Sequence, residues 1–461
     1  MKHTTVAVVG GGITGLAAAH VLAKKSVPFL LLEKRPKLGG TIRTERSEGF
    51  LLDAGPDAFL AQKPEAVALC RELGLGDRLI PTNPTARAVS VLDRGQLHPL
   101  PEGMVLTVPT RVLPLARSSL FSPLGKLRMA LEPFVPSRTD GSDETITSFV
   151  SRRLGREALE RLAEPLLAGI HSGDPDRLSM NVLFPRFVQL EKKHGSLIRG
   201  MRKAAPRPSS GEPASVFLSL QGGLSELVEA LVAKLPASSI RQGDGVQRVR
   251  RGDGGYGLEL ASGEEVSASA CILAAPLRVT ESLLWNLSAD LATKLAGIPT
   301  VSTAVVFLGF PRDQMPHALE GYGFVVPKTA RRRILAATFV SSKFAHRAPD
   351  GHVLLRVFFG GSRDPEVLEL SDNDLVGLAR SELAEILGPL GGHSLARVYR
   401  WEQGTPQVEV GHADRLASIE AGLRGFPGLE LAGNGLRGVG IPDCIADGKR
   451  SAEAVAQFLE L

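Results

Sequence analysis

The sequence predicts an α/β protein of several domains, α+β in its overall arrangement, that opens on a strand–turn–helix–strand unit. Three observations carry this. Thr4–Val9 is a short apolar run, and Gly10-Gly-Gly12-Ile13-Thr14-Gly15 follows it at once. An Ala/Leu-rich stretch, Leu16 to Lys25, then leads to a second apolar run, Val27 to Leu32, which ends in Glu33. That order is the Rossmann-like βαβ fingerprint of dinucleotide binding.

Each residue of the fingerprint has a physical task. Gly10 makes the turn, Gly12 lets backbone approach a pyrophosphate, and Gly15 lets the helix pack on the strand. Ile13 and Thr14 open that helix. Glu33, followed by Lys34, is placed to accept from a ribose 2′-hydroxyl and would repel a 2′-phosphate, which argues against NADP. Arg35 to Thr44 then supplies paired glycines, Gly39 and Gly40, with Thr41 and Arg43, and Leu52-Asp53-Ala-Gly55-Pro56-Asp57 closes the unit. Residues without a β-carbon let the chain run against a ligand, and Arg43 can answer phosphate charge. This resembles the double-glycine signature of flavin-dependent amine oxidases, phytoene-type desaturases and protoporphyrinogen oxidases, and it implies FAD rather than NAD.

With 461 residues the chain can form two or three lobes, each with a core of its own. Hydrophobic residues are 43% and charged residues 22%, the balance of a globular protein. A net charge of +5 favours anionic ligands or lipid surfaces, and no basic-aromatic pattern points to nucleic acid. Cys70, Cys271 and Cys444 are scattered, odd in number and without metal-ligand spacing, which suggests a reducing compartment and no metal. Met1 leads directly into the first strand, so no leader is expected. No apolar run reaches the ~20 residues of a membrane-spanning helix.

Further along, Pro64 to Leu79 has the spacing of a short helix ended near Gly74 and Gly76, and Ala88–Leu92 and Gln96-Leu97 flank the hairpin turn Asp93-Arg-Gly95. Thr110 to Pro136 is basic and apolar but broken by prolines into short helical pieces, a pattern that suits a lipid interface or an ordinary core equally. Asp143 to Leu167 reads as helices, and Met201 to Pro213, rich in Pro, Ser and cations, as a linker. Val216–Leu220, Gly222-Gly223 and Leu227–Leu235 repeat strand, turn and helix. Strands over Val246–Val249, Gly257–Leu260 and Val266–Leu273, ending at Ala275-Pro276, return to the first lobe, so the cofactor domain is discontinuous. Val301–Phe307, Gly323–Pro327, Ile334–Val340 and Val353–Phe359 imply a second sheet, followed by a helix over Leu375–Leu387 and a last strand at Arg397–Trp401. A final strand at Leu429, glycines at Gly433 and Gly440-Ile441, and a helix over Ala446–Phe458 would aim a positive helix end at an electron-rich ring.

The whole pattern resembles the oxygen-dependent protoporphyrinogen oxidase family. The likeness rests on Gly10–Gly15, Gly39-Gly40, Gly169–Met180, His194–Gly200, Gly222–Leu224, Gly321–Pro327, Phe344–Pro349 and Leu431–Gly448. It implies an FAD domain from 1–75, 213–282 and 400–461, a sheet-based substrate domain from 76–100, 183–212 and 283–399, and a helical, membrane-associating domain over 101–182. The FAD contacts it implies include Val246, Ala275, Gly433, Gly440 and Ile441 beside the fingerprint residues above.

The implied reaction is six-electron oxidation of protoporphyrinogen IX to protoporphyrin IX, with O2 as oxidant and H2O2 as product. The implied setting is a cytoplasmic enzyme resting on the inner face of the cell membrane, as a homodimer. No Ser-His-Asp set, paired acids or metal ligands mark a general-base engine, so no catalytic residue is expected: pyrrole nitrogens flanking a meso carbon can expel the hydride themselves. Arg87 is the candidate for a substrate propionate, and Gly169, Phe324 and Phe339 for pocket walls. Oxidation of coproporphyrinogen III is the nearest rival, for which Arg331 to Arg333 could serve the extra carboxylates. Amine oxidation lacks its aromatic pair near the last motif. A flavin-free binding protein like the Rab GDP-dissociation inhibitors is the rival of another class.

Overall fold

Strand β1 (Lys2–Val9), helix α1 (Ile13–Lys24) and strand β2 (Phe29–Glu33) form the expected first unit in this computed structural model, which describes residues 2–86, 89–105, 107–138, 140–204 and 215–460. A hairpin of β3 (Thr44–Ser47) and β4 (Phe50–Asp53) follows, then α2 (Pro64–Glu72). The chain leaves for a second sheet with β5 (Val89–Asp93) and β6 (Gln96–Pro99), whose turn places Arg94 and Gly95 at positive φ. It then builds a helical lobe that includes α3 (Pro123–Ala130), α4 (Ile146–Leu154), α5 (Glu164–His171), α6 (Pro185–His194) and α7 (Leu197–Ala204).

The return to the first sheet uses β7 (Ile240–Gln242), β8 (Val246–Gly252), β9 (Gly255–Leu260) and β10 (Glu265–Leu273), then α8 (Leu277–Leu284) and α9 (Ala289–Ala296). A second visit to the other sheet adds β11 (Thr300–Pro311), β12 (Gly323–Val325), β13 (Ala336–Phe339), β14 (His352–Gly360), α10 (Asp372–Leu387) and β15 (Leu395–Pro406). The described chain closes with β16 (Leu429–Leu431) and α11 (Ile441–Phe458).

The first sheet has the order β7-β2-β1-β10-β9-β8, with β16 beside the second half of β10. Val6, Ala7, Val8 and Val9 are buried on both faces, as parallel strands covered by helices must be. Leu16 and Leu22 of α1 pack with Ile445 and Val455 of α11 on one face. Leu283, Leu291 and Leu295 of α8 and α9 fill the other. The cofactor lobe therefore includes residues 283–298, which the sequence assigns to the substrate domain. Burying each such leucine contributes about 1.5–3 kcal/mol.

The second sheet has the order β15-β11-β14-β13-β12-β5-β6, so the boundary expected at residue 400 falls inside a strand. Alternate residues of its central strands face opposite ways. Leu308, Leu355 and Val357 pack under Leu375, Ala379 and Leu383 of α10. Val305, Phe307 and Leu354 look the other way, onto Phe50 and Leu52 of the β3–β4 hairpin.

The helical lobe has its own core, in which Phe187, Leu190 and Met201 of α6 and α7 join Phe149 and Leu162, so residues 183–204 pack with the helices rather than with the sheet. Arg153, fully buried, pairs with the equally buried Glu132 and donates to the Val135 carbonyl at 2.9 Å. Glu132 also accepts from Ser196 Oγ at 2.5 Å and from the Leu197 and Ile198 amides, capping the start of α7. Of the expected linker, 201–204 completes α7, and 205–213 lies outside the described residues.

Candidate cofactor and substrate site

Three separated pieces of chain meet at the amino end of α1. Gly15 approaches the turn so closely that a β-carbon there would stand 1.9 Å from the Gly10 carbonyl oxygen, whereas one on Gly12 would meet nothing within 4 Å. Gly12 is the N-cap of α1 and no side chain caps it, so its first amides and the positive end of the helix dipole face open space. The second glycine pair is laid against the first: Gly39 donates its amide to Gly11 O at 2.8 Å, and Gly40 lies beside Gly12. Thr41 crosses Gly55, whose β-carbon position is 1.8 Å from the Thr41 carbonyl oxygen. Glu33 accepts from the Gly11 amide at 2.7 Å and the Arg35 amide at 2.8 Å, which fixes its carboxylate at the end of β2.

The third piece is the turn after β16. Gly433 donates its amide to the buried Asp447 at 2.9 Å, and Arg437 and Arg450 both reach the other oxygen of that carboxylate. The last helix starts at Ile441, five residues before the sequence suggests, because Pro442 suits a first turn and Asp443 accepts from the Gly440 amide at 3.2 Å. Lys63 clamps the same carboxylate at 2.5 and 2.6 Å. Asn434 Oδ1 is buried without a partner, and the β-carbon position of Gly433 meets only Thr14 Oγ1, at 3.9 Å. An open backbone cradle and an orphaned acceptor are what a bound nucleotide with a polar ring system would occupy.

Between this cradle and the second sheet lies a strip of buried charge. Asp57 pairs with Lys343 at 2.8 Å. Burial alone would raise its carboxyl, yet Lys343 and Arg356 together bring it below the usual range. Arg347, 1% exposed, lies 3.3 Å from Asp53 and donates to Ser219 Oγ at 2.9 Å. Arg356 donates to the Gly55 carbonyl at 2.6 Å, and Trp401 Nε1 to that of Ala54 at 3.0 Å.

The sheet face that meets this strip carries Val325, Ala336, Thr338, Arg356 and Phe358, matched across the strands by register. Thr338 and Phe358 keep solvent contact although they sit in central strands, so a gap opens above them. Helix α5 presses on the same face, where a β-carbon on Gly169 would be 3.5 Å from both Val325 and Ala336. Ile170 is exposed, and burial followed by the Lys63 charge pushes the His171 imidazole down to about 4.

The model of flavin-containing amine oxidoreductases matches residues 13–456. This chain belongs to that family. As in the flavin-dependent members, FAD is its cofactor. The family member coproporphyrinogen III oxidase of Bacillus subtilis is 36% identical, over 99% of this chain and 98% of that one. The chloroplastic protoporphyrinogen oxidase of Nicotiana tabacum is 32% identical, over 98% of this chain and 85% of that one. A crystal structure from Exiguobacterium sp. 255-15 superposes with a TM-score of 0.87 at 35% identity, covering 100% of this chain and 99% of that one.

Most of the cofactor positions read from the sequence lie on these segments. Gly10, Gly12, Ile13, Thr14, Gly15, Glu33, Gly39, Gly40, Thr41, Gly55, Pro56, Gly433, Gly440 and Ile441 lie on the three segments just described. Ala275 N is 2.9 Å from the β-carbon position of Gly10, and Val246 follows Asp244, whose amide donates to Glu33 O. Lys34 packs against Gly245. Arg43 pairs with Glu45 and stands 5.4 Å above the Tyr399 ring, on the side of the second sheet. Asp57 faces Lys343.

The substrate residues fare differently. Phe324 and Phe339, each 1% exposed, lie beneath α10 on the far side of the sheet, their rings 6.1 Å apart. The opposite face of the same strands carries Val325, packed on the helical lobe, and Thr338, partly buried beside the gap. Arg87 lies outside the described residues, although Val89, two positions on, pairs with Gly323 on the site face. Arg332 and Arg333 pair with Glu385 and Asp364, away from the gap. The sequence reading missed Lys63, Lys343 and Arg356. A lysine before a proline and an arginine inside an apolar strand were the available signals.

Proposed function

We propose that this chain oxidises a porphyrinogen to the porphyrin in three two-electron rounds, consuming three O2 and releasing three H2O2. The observation that carries it is the incompletely covered sheet face at Thr338 and Phe358, between the cradle and the helix α5 that packs on Val325 and Ala336, where no proton relay stands among the described residues. Among the described residues nearby, His171 is held neutral, and Asp57 and Asp443 are locked to lysines. FAD, held by the glycine segments and the start of α1, would supply a two-electron acceptor that oxygen can reoxidise. The chain's own residues hold the macrocycle, exclude water and fix the reacting edge, while the pyrrole nitrogens supply the push. The 36% identity to a coproporphyrinogen III oxidase, against 32% to a protoporphyrinogen oxidase, turns the reading towards coproporphyrinogen III rather than the protoporphyrinogen IX expected from the sequence.

Anaerobic mixing with each porphyrinogen, followed by air, tests this. The flavin bleaches with either substrate and faster with coproporphyrinogen III; a flavin that stays oxidised with both sinks the reading.

The helical lobe supports a second reading, contact with an anionic membrane surface from the cytoplasmic side. Leu113, Leu124, Leu127, Leu131 and Phe134 are exposed, Leu124 by 79% and Phe134 by 76%, among Arg117, Lys126 and Arg199. No helix among the described residues is long and apolar enough to cross a membrane. Apolar side chains rimmed by cations suit the headgroup boundary. Cosedimentation with phosphatidylglycerol vesicles falls in Leu124→Ser/Phe134→Ser; equal binding by variant and parent refutes the contact.

A further inference from the structure

Arg356 differs from every other cation in the buried strip. Arg347 has Asp53 and Lys343 has Asp57, but among the described residues no carboxylate lies within 4 Å of the Arg356 guanidinium. Its partners are the carbonyls of Gly55, at 2.6 Å, and Ala54, at 3.5 Å, and its Nε–H has none. The side chain is 6% exposed and its guanidinium stacks 4.6 Å above the Phe358 ring and 5.5 Å from that of Phe307. Burial therefore drags on its charge, with Asp57 and Asp53 opposing only from a distance. Three cations face two carboxylates, and the strip carries one positive charge in excess.

A buried, uncompensated charge is costly, and an arginine fork with a free N–H is shaped for a planar anion. Arg356 stands on the gap face of the sheet, opposite Thr338 and two residues from Phe358. On the porphyrinogen reading the substrate brings anions to this face, since its ring is apolar and its side chains end in carboxylates.

We propose that Arg356 receives a propionate carboxylate of the macrocycle inside the gap and so selects a substrate with four carboxylates over one with two. This rests on the porphyrinogen reading above. A macrocycle bearing vinyl groups at that edge would leave the guanidinium unpaired and is disfavoured; coproporphyrinogen III satisfies it.

The experiment uses FAD-loaded wild type, Arg356→Gln, Arg356→Leu and Arg356→Lys, each matched for flavin content and melting temperature. The probes are the redox-inert coproporphyrin III, its tetramethyl ester and protoporphyrin IX, with dissociation constants read from the perturbed flavin absorbance. The Gln and Leu variants lose at least tenfold in affinity for coproporphyrin III, Lys recovers part of it, and the ester, which offers no anion, binds all four proteins within twofold. The preference for four carboxylates over two collapses in the Leu variant. An equal loss for acid and ester would make Arg356 a packing residue and overturn the proposal. So would unchanged porphyrin binding with weakened formation of the flavin sulfite adduct, which would assign the charge to the ring system. Wild-type turnover of porphyrinogens is scored separately, so failure of the general reading is told apart from failure of this one.

Discussion

Gly448 of α11 lies so close to Thr14 of α1 that a β-carbon on it would stand 2.2 Å from the Thr14 carbonyl oxygen. The neighbour is backbone and cannot swing aside. This contact joins the first and last cofactor segments. Gly448→Ala pushes the helices apart, costs about 1–3 kcal/mol and loosens FAD. A lower melting temperature with faster appearance of free-flavin fluorescence checks this.

The buried ion pair of Arg347 and Asp53 is a second joint, tying α1's lobe to the second sheet. Removing the cation strands Asp53, whose carboxyl burial already raises and which keeps only Thr44 Oγ1 and the Leu224 amide as donors. Arg347→Met is expected to cost about 3–5 kcal/mol, and Arg347→Met/Asp53→Asn less than that. Urea denaturation of the three proteins gives the comparison; additive losses would show that the pair is not coupled.

His171 makes stability depend on pH. Its folded pKa of about 4 is below the unfolded value of about 6.5, so the unfolded chain binds more protons between the two. The contribution is complete above pH 6.5 and is lost as pH falls towards 4. His171→Asn should flatten the decline by about 2 kcal/mol, after discount for partial exposure. Melting curves at pH 4.5, 5.5 and 7 decide; parallel profiles for variant and parent would exclude the effect.

The thiols are predicted to be silent in the folded protein. Burial pushes Cys70 up to about 11 and Cys271 and Cys444 up to about 12. Iodoacetamide at pH 8 therefore labels none of the three until the chain unfolds, as intact-mass spectrometry would show.

Glu33 ties β2 to the first glycine turn. Glu33→Ala frees the Gly11 and Arg35 amides and should raise the FAD dissociation constant at least tenfold, about 1.4 kcal/mol, with the fold retained. Reconstitution of the apoprotein, followed by flavin fluorescence quenching, measures it.

The cofactor side was legible because its chemistry is local. Close backbone approaches demand glycine, and glycines at Gly10, Gly15, Gly39 and Gly55 announce themselves in the one-dimensional pattern. Substrate walls are different in kind. On a strand covered on both faces, Phe324 and Val325 are equally apolar, and only the register with Ala337 and Ala336 says which of them lies on the face of the gap. Arg356 was hidden for a related reason: its meaning comes from Gly55 and Phe358, far away in sequence. Lobe limits drifted too, since α8 and α9 follow a strand of the first sheet and pack beneath it.

The Asp447 carboxylate that holds Gly433, and the helix that Gly448 lets lie against α1, come far along the chain from the glycines they complete. A nascent polypeptide consequently cannot retain its prosthetic group until that stretch has cleared the ribosome exit tunnel. A copy truncated before β16 would be made colourless however sound its opening βαβ unit.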